Sequence, residues 1–367
     1  MKVANEGEVR MYYPCLRWKQ GEQQALSNLS PDFKNHITPI IEFPILGKPR
    51  LKKETTLEEA LNKQYSSMIK KINDFPQKLL SCWGKREILL DINSLLNQKQ
   101  IHITLNEIKP LFYNKSISIT PIITSEFSSN ELINYLKELL SLSIINTVAV
   151  RVSLETASQT ISKIKFILKE LNLNINNTTI IFDLKDVSNS TCTQCKKDFT
   201  TLYNQFNDNF YKKILLSGAL TLPDKFPSNS NEYLFRKDWV TWCELRNKDN
   251  YNIEFGDYTT DSARFVDIPF SGAPKIKYTL TDKWIVYKGV KVRQESEKNV
   301  IQYQKMSKAL IQSNDWRNTH RSYGEEQILN CALKKVEIGS STKWVGISIN
   351  QHIAFVVSQM YANQLFP

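Results

Sequence analysis

Four carboxylates, Glu42, Asp91, Asp183 and Asp257, each stand at the close of an apolar, β-branched-rich run. A strand buried on both faces delivers a polar group to a site in this way, from its end rather than its middle. Arg17 with Lys19, and Arg151, stand at or near the ends of two further runs, as do Thr124, Lys185, Asp186 and Ser217. Carboxylates that converge with arginines suit a divalent metal and a phosphate. Hard cations take oxygen ligands, and a guanidinium grips phosphate through paired hydrogen bonds. On this reading Glu42, Asp91, Asp183 and Asp257 are the catalytic candidates, and Arg17, Lys19 and Arg151 contact phosphate. Magnesium or manganese would then serve hydrolysis of a phosphoester in a nucleotide or nucleic acid. The alternative is a charge network whose members only satisfy one another.

Groups from distant parts of a chain converge only if the elements carrying them share one end. Ile37-Thr38-Pro39-Ile40-Ile41 recurs at Ile119 to Ile123, followed once by Glu42 and once by Thr124. A strand core used twice with its polar terminus exchanged points to a repeated strand–helix unit. Strand-like runs occur at Tyr12–Trp18, Ile37–Phe43, Glu87–Ile92, Ile117–Thr124, Thr147–Ser153, Thr178–Asp183, Lys213–Gly218 and Asn252–Asp257. Helical spacing of apolar residues fills Glu22–Leu29, Leu57–Phe75, Leu105–Phe112, Glu131–Leu142, Ala157–Leu171, Lys196–Phe210 and Tyr233–Leu245. Eight such units predict a (β/α)8 barrel over residues 10–258, with polar strand ends at one mouth. A doubly wound open sheet is the other arrangement of alternating elements, but no Gly-x-Gly-x-x-Gly turn follows any strand.

After Asp257 the pattern changes. Lys275–Leu280 and Lys283–Val292 read as a hairpin, and Val300–Ile311, Glu325–Leu333 and Trp344–Met360 as helices. Residues 259–367 are therefore expected to form an α+β extension packed on the barrel, because its few helices have apolar faces that need covering. It leaves the eighth strand at the end where barrel sites lie, and so is placed to cap the mouth.

The chain of 367 residues carries a net charge of +11 and has an isoelectric point near 9.2. That balance fits an anionic partner such as nucleic acid, although a composition rich in Asn, Ile and Lys raises lysine by itself. The basic segment 275–293 concentrates it: Lys277, Lys288 and Lys291 interleave with Trp284, Tyr278 and Tyr287. Basic groups neutralise phosphates while aromatic faces stack on bases. Alternation along a strand gives the other reading, in which the aromatics pack inward.

No apolar run reaches the roughly 18 residues of a membrane span, and Glu6 and Glu8 stand where a secretion signal would be basic. Six cysteines are too few for a disulfide scaffold, so a cytosolic protein without membrane contact is expected. Cys15 and Cys82 read as packing residues; Cys192-x-x-Cys195 would place a thiol at a helix start, where thiols can be acidified. The four histidines, His36, His102, His320 and His352, form no zinc-binding pair; His320 and His352 could reach the mouth from the extension as a general acid or base.

Tyr12-Tyr13-Pro14-Cys15-Leu16-Arg17-Trp18-Lys19-Gln20-Gly21-Glu22, with Ile37-Thr38-Pro39-Ile40-Ile41-Glu42 after it, resembles the opening of the beta protein family of phages and bacterial mobile elements. Phe255-Gly256-Asp257-Tyr258, Ser322-Tyr323-Gly324-Glu325-Glu326 and Asn350-Gln351-His352 are similar to later stretches of that family, whose usual His-His pair is Gln351-His352 here. The resemblance implies a barrel-like fold and a phage-conflict setting; it implies no reaction.

Two classes of function remain open from sequence. One is an accessory protein of phage defence or phage conflict that binds nucleic acid, or a protein partner from the same operon. The other is a metal-dependent phosphoester hydrolase working at the barrel mouth.

Overall fold

Several of the helices that follow the strand-like runs have their starts fixed by a side chain, and this punctuation shapes the fold. Thr56 and Thr104 form capping boxes with Glu59 and Glu107, while Ser129 and Thr191 accept from backbone N–H groups in the first turn. The computed structural model describes residues 11–49, 51, 56–113, 116–124, 129–155, 157–206, 210–264, 272–291, 298–317 and 322–365. In chain order it contains β1 (Tyr12–Arg17), α1 (Gln20–Ser27), α2 (Pro31–Lys34), β2 (Ile40–Glu42), α3 (Leu57–Cys82), β3 (Ile88–Asp91), α4 (Asn93–Leu96) and α5 (Leu105–Phe112). There follow β4 (Ile119–Ile123), α6 (Asn130–Ser141), β5 (Ala149–Val152), α7 (Ala157–Glu170), β6 (Thr179–Asp186), α8 (Cys192–Gln205), β7 (Lys212–Gly218), β8 (Ser230–Phe235), α9 (Lys237–Asn247) and β9 (Glu254–Asp257). The chain continues through β10 (Lys275–Thr279), β11 (Lys283–Lys288), α10 (Asn299–Ile311), α11 (Tyr323–Ala332) and α12 (Ser341–Leu365).

Strands β1 to β7 and β9 close into a parallel eight-stranded barrel with helices between them, the (β/α)8 architecture. All eight expected strands are present, and the open-sheet alternative is excluded because β9 pairs with both β7 and β1 and so closes the ring. Alternation sorts each strand's side chains between two cores. Tyr13, Cys15, Ile40, Leu89, Ile122, Ala149, Ile181, Ile214 and Leu216 fill the barrel interior. Tyr12, Leu16, Ile41, Leu90, Ile123, Val150, Ile180 and Phe255 point outward, into the layer under the helices.

Counting on by two from the interior residues carries the inward face to Arg17, Glu42, Asp91, Thr124, Arg151, Asp183 and Tyr258 at one rim. The repeated Ile-Thr-Pro-Ile-Ile segments thus place Glu42 and Thr124 at equivalent points of β2 and the end of β4. Asp257 has the opposite parity. It lies in register with Pro14 and Ser217, on the outward side of the sheet.

The segment after β9 returns to the barrel. Helix α12 lies against β1 and α1, and its Ile349, Ile353, Val356, Val357 and Met360 belong to the outer core of the barrel. It thereby joins the layer of helices around the barrel. Close approach makes this possible: a Cβ on Gly346 would lie 2.8 Å from the carbonyl oxygen of Gly21 on α1. Between β9 and α12 the chain inserts the hairpin β10–β11 with α10 and α11.

That hairpin gains a third strand from inside the barrel region, because β8 pairs antiparallel with β11. The helix expected from Tyr233 therefore begins only at Lys237. The alternating burial of residues 230–235 is the period of a strand, with Tyr233 and Phe235 outward. One side of the three-stranded sheet, with Ile276, Tyr278, Ile285 and Tyr287, forms a core with Tyr303, Leu310 and Ile328 of α10 and α11. The other side sets Trp284 and Val286 against Val187, Ala219, Leu220 and Phe226 of the barrel loops. Among the described residues, no helix is long and apolar enough to cross a membrane.

Candidate functional site

Strand register brings Arg17, Glu42 and Asp91 side by side, since Arg17 pairs with Glu42 and Glu42 with Asp91 on successive strands. Arg151 reaches across the mouth from β5. Its Nη1 donates to Glu42 Oε1 at 2.6 Å and Asp91 Oδ2 at 2.7 Å. Nε and Nη2 both donate to Asp183 Oδ2, at 2.9 and 2.7 Å, and Nη2 also reaches the Tyr258 hydroxyl at 2.6 Å. A guanidinium has five N–H donors, and here every one is engaged by the protein. Arg151 is thus the hub of the site and has no donor left for a phosphate, contrary to the expectation from sequence.

Asp91 is saturated in turn: Oδ1 accepts from the backbone N–H groups of Asn93 and Ser94 and from Asn93 Nδ2, at 2.9, 3.3 and 3.1 Å. Asp183 accepts from Arg151, the Tyr258 hydroxyl and Lys185 Nζ on Oδ2, and from the Lys185 backbone on Oδ1. A break in the regular register of β6 after Asp183 and a left-handed turn at Lys185, φ 58°, bring both nitrogens of that residue to it. Burial pushes Asp183 upward, but Lys185 and Arg151 outweigh it and hold the carboxyl well below its usual range. Burial likewise raises Glu42, and the charge and hydrogen bond of Arg151, with Arg17, bring it below its ordinary value.

Glu42 differs from its neighbours in keeping an oxygen towards the opening: Oε2 has the Arg17 Nε at 3.9 Å. Arg17 turns instead to the loop after β9, donating to Asp261 and to the carbonyls of Ser262 and Ala263. Lys19 is half exposed and 4.0 Å from Asp261. Around this network lies a cleft of about 270 Å³, lined among others by Glu42, Asn93, Asn97, Thr124, Lys185 and Tyr258. Asn93 Oδ1 and Thr124 Oγ1 are buried there without a hydrogen-bond partner among the described residues.

The residues do not fit magnesium or manganese. Among the described residues, no three His, Cys, Asp or Glu side chains are grouped to hold an ion. Glu42, Asp91 and Asp183 do come together, but the guanidinium of Arg151 stands between them where a cation would have to sit.

Asp257 does not join them. On the outward face, Tyr12 donates to its Oδ1 at 2.5 Å and His352 Nε2 lies 2.9 Å from Oδ2, with His352 Nδ1 2.9 Å from Thr279 Oγ1. His352 is wholly buried, so it cannot swing over the mouth; His320 lies outside the described residues. Burial lowers the pKa of His352 and Asp257 opposes, leaving the imidazole below its ordinary value. The neutral ring donates Nε2–H to Asp257 and accepts at Nδ1 from Thr279.

The basic hairpin is also tied inward. Trp284 is 0 % exposed, so no base can stack on it. Lys277 donates to the carbonyl of Thr260 and Lys288 to that of Phe226, both across the contact with the barrel. Lys291 is exposed, just past β11. Cys195 is buried and its thiol pushed up to about 11 by burial, the reverse of acidification at the helix start.

Tyr258, Asn93 and Ser94 escaped the sequence reading. Each lies two or three residues beyond a strand's last inward position, so counting by two from Gly256 and Asp91 would have reached Tyr258 and Asn93. The segments that carry the family resemblance meet one another: Asp257 bonds His352, and Gly324 N–H donates to Asn350 Oδ1 at 2.9 Å. The model of the family described as Beta protein matches residues 12–358. No curated protein matches the sequence.

Proposed function

The chain belongs to the Beta protein family, and from that premise we propose that it is an accessory component of a phage-conflict system whose barrel mouth recognises a small polar molecule. The observation that carries this is the complete use of the five Arg151 donors by Glu42, Asp91, Asp183 and Tyr258. A cluster balanced in this way is a rigid frame around a cleft, and pre-ordered polar groups favour binding because little ordering cost remains. The same balance argues against metal-dependent phosphoester hydrolysis, which needs a place for the ion where Arg151 stands. Binding of nucleic acid through the hairpin is disfavoured by the burial of Trp284 and the inward bonds of Lys277 and Lys288.

Saturation-transfer NMR with mixtures of sugars, nucleosides, nucleotides, amino acids and polyamines tests the proposal. The parent chain should show contact with at least one, and Asn97→Trp, which puts an indole over the cleft, should lose it. Contact that survives the block places recognition elsewhere.

A protein partner has its own supporting observation. Strand β8 is an edge of its sheet, with Tyr233 53 % and Phe235 43 % exposed, and such edges accept an added strand. Changing both residues to Glu should abolish such pairing and leave binding at the mouth intact; co-purification with products of neighbouring genes reads it out.

A further inference from the structure

Within the proposed mouth site, and resting on it, we infer that the ligand is a neutral polyhydroxylated molecule, of the class of a free sugar, a cyclic polyol or the ribose of a nucleoside. The cleft's remaining hydrogen-bonding capacity decides the class. Two of its oxygens are acceptors with spare capacity, Glu42 Oε2, whose ion-pair contact is the 3.9 Å approach of Arg17, and Asn93 Oδ1, while the Thr124 hydroxyl can accept or donate; neither Asn93 Oδ1 nor Thr124 Oγ1 has a partner among the described residues. A buried acceptor without a donor costs free energy, which a ligand donor reaching it recovers. Lys185, about half exposed, adds a donor at the same rim.

Groups that bind here must therefore both donate and accept, which a hydroxyl does and neither a phosphate nor an ammonium can. A fully ionised phosphate brings no donor for Glu42 Oε2 or Asn93 Oδ1. An ammonium offers nothing to Lys185. The lining is also balanced in charge, with Arg17, Arg151 and Lys185 against Glu42, Asp91 and Glu155, so a net charge on the ligand gains little. A carboxylate oxygen facing vicinal hydroxyls is the arrangement that holds ribose in dinucleotide sites. Here Glu42 occupies that role, and Thr124, at the equivalent point of the repeated segment, supplies the second contact.

Calorimetric titration of the full chain with D-ribose and myo-inositol, beside ribose 5-phosphate and putrescine, tests the class. The neutral polyols should bind, and the phosphorylated sugar and the diamine should bind at least tenfold more weakly. Thr124→Val keeps the shape and removes the oxygen, and should weaken polyol binding roughly five- to tenfold while the melting temperature stays within a few degrees of the parent. Binding of the phosphorylated sugar or the diamine in preference overturns the class but leaves recognition at the mouth standing. Failure of all four overturns the class, and the wider NMR mixture then decides separately whether the mouth binds anything. Unaltered polyol affinity in Thr124→Val overturns the assignment of that contact.

Discussion

Arg151 holds Asp183 on the adjacent strand through two nitrogens at once, Nε at 2.9 Å and Nη2 at 2.7 Å. Both side chains are essentially buried, and the same guanidinium serves Glu42 and Asp91. Removing one partner of such a cluster leaves uncompensated charge in a low-dielectric interior, so Arg151→Met should lower unfolding free energy by about 3–5 kcal/mol. Arg151→Lys should recover only a minor part, because three ammonium protons cannot reproduce five donors in a planar fork. Urea unfolding of the three proteins measures this.

Glu22, at the start of α1, is 3 % exposed and its Oε2 has no partner among the described residues. Burial, with a lesser push from Asp261, raises its pKa from 4.5 to about 7. An acid with a raised folded pKa stabilises fully below its unfolded value and loses that contribution as pH climbs through the folded one. The loss thus falls between about pH 4.5 and 7 and amounts to a few kcal/mol. Glu22→Gln should be more stable than the parent at pH 8 and nearly equal at pH 4.5, by denaturant titration at both values.

His352 behaves in the opposite sense. Its lowered pKa means that the unfolded chain takes up a proton first as pH falls. Stability should therefore decline below about pH 6.5, the ordinary histidine value. His352→Gln, which can still bond Asp257, should flatten that acid limb even if it lowers stability at pH 7. Melting temperatures from pH 5 to 8 compare the two slopes.

The eight barrel strands were legible because each is a short β-branched run with a helix after it, and the repeated Ile-Thr-Pro-Ile-Ile fixed which residues end a strand. Glu42, Asp91, Arg151 and Asp183 meet as their strand-end positions suggested. Asp257 was misjudged by a single residue of register: its neighbour Tyr258 faces the mouth, and two-residue alternation sends Asp257 to the helix layer. Strand β8 was hidden by the apolar run of α9 directly after it, since its pairing partner β11 lies far along the chain. Lysines and aromatics in the hairpin read equally as a binding face or as packing, and only the third dimension shows that both sides of that sheet are covered.

Because α12 packs against the outer face of the barrel, ending the chain at residue 340 should uncover Tyr12 on β1 and Asp257 on β9, which His352 covers, rather than release a smaller stable domain. The truncated chain should aggregate or melt without a cooperative transition. A soluble product with a sharp melt would show that the barrel closes its core without α12. Gly324→Ala probes how α12 seats against α11, since its Cβ would press on the Ile347 carbonyl of α12. A loss of about 1–3 kcal/mol by urea unfolding is expected, as for other overpacked contacts.

Whether Arg151 completes the carboxylate cluster and leaves the mouth for recognition is read from the melting temperature of the full chain titrated with magnesium and manganese salts. A metal bound to the folded state alone would raise it by mass action. With Arg151 in that place, neither ion should raise it beyond a matched sodium salt, in the parent and in Asp91→Asn alike. A rise specific to magnesium or manganese in the parent, abolished by Asp91→Asn, would contradict it, because the ion would then hold the place that Arg151 occupies.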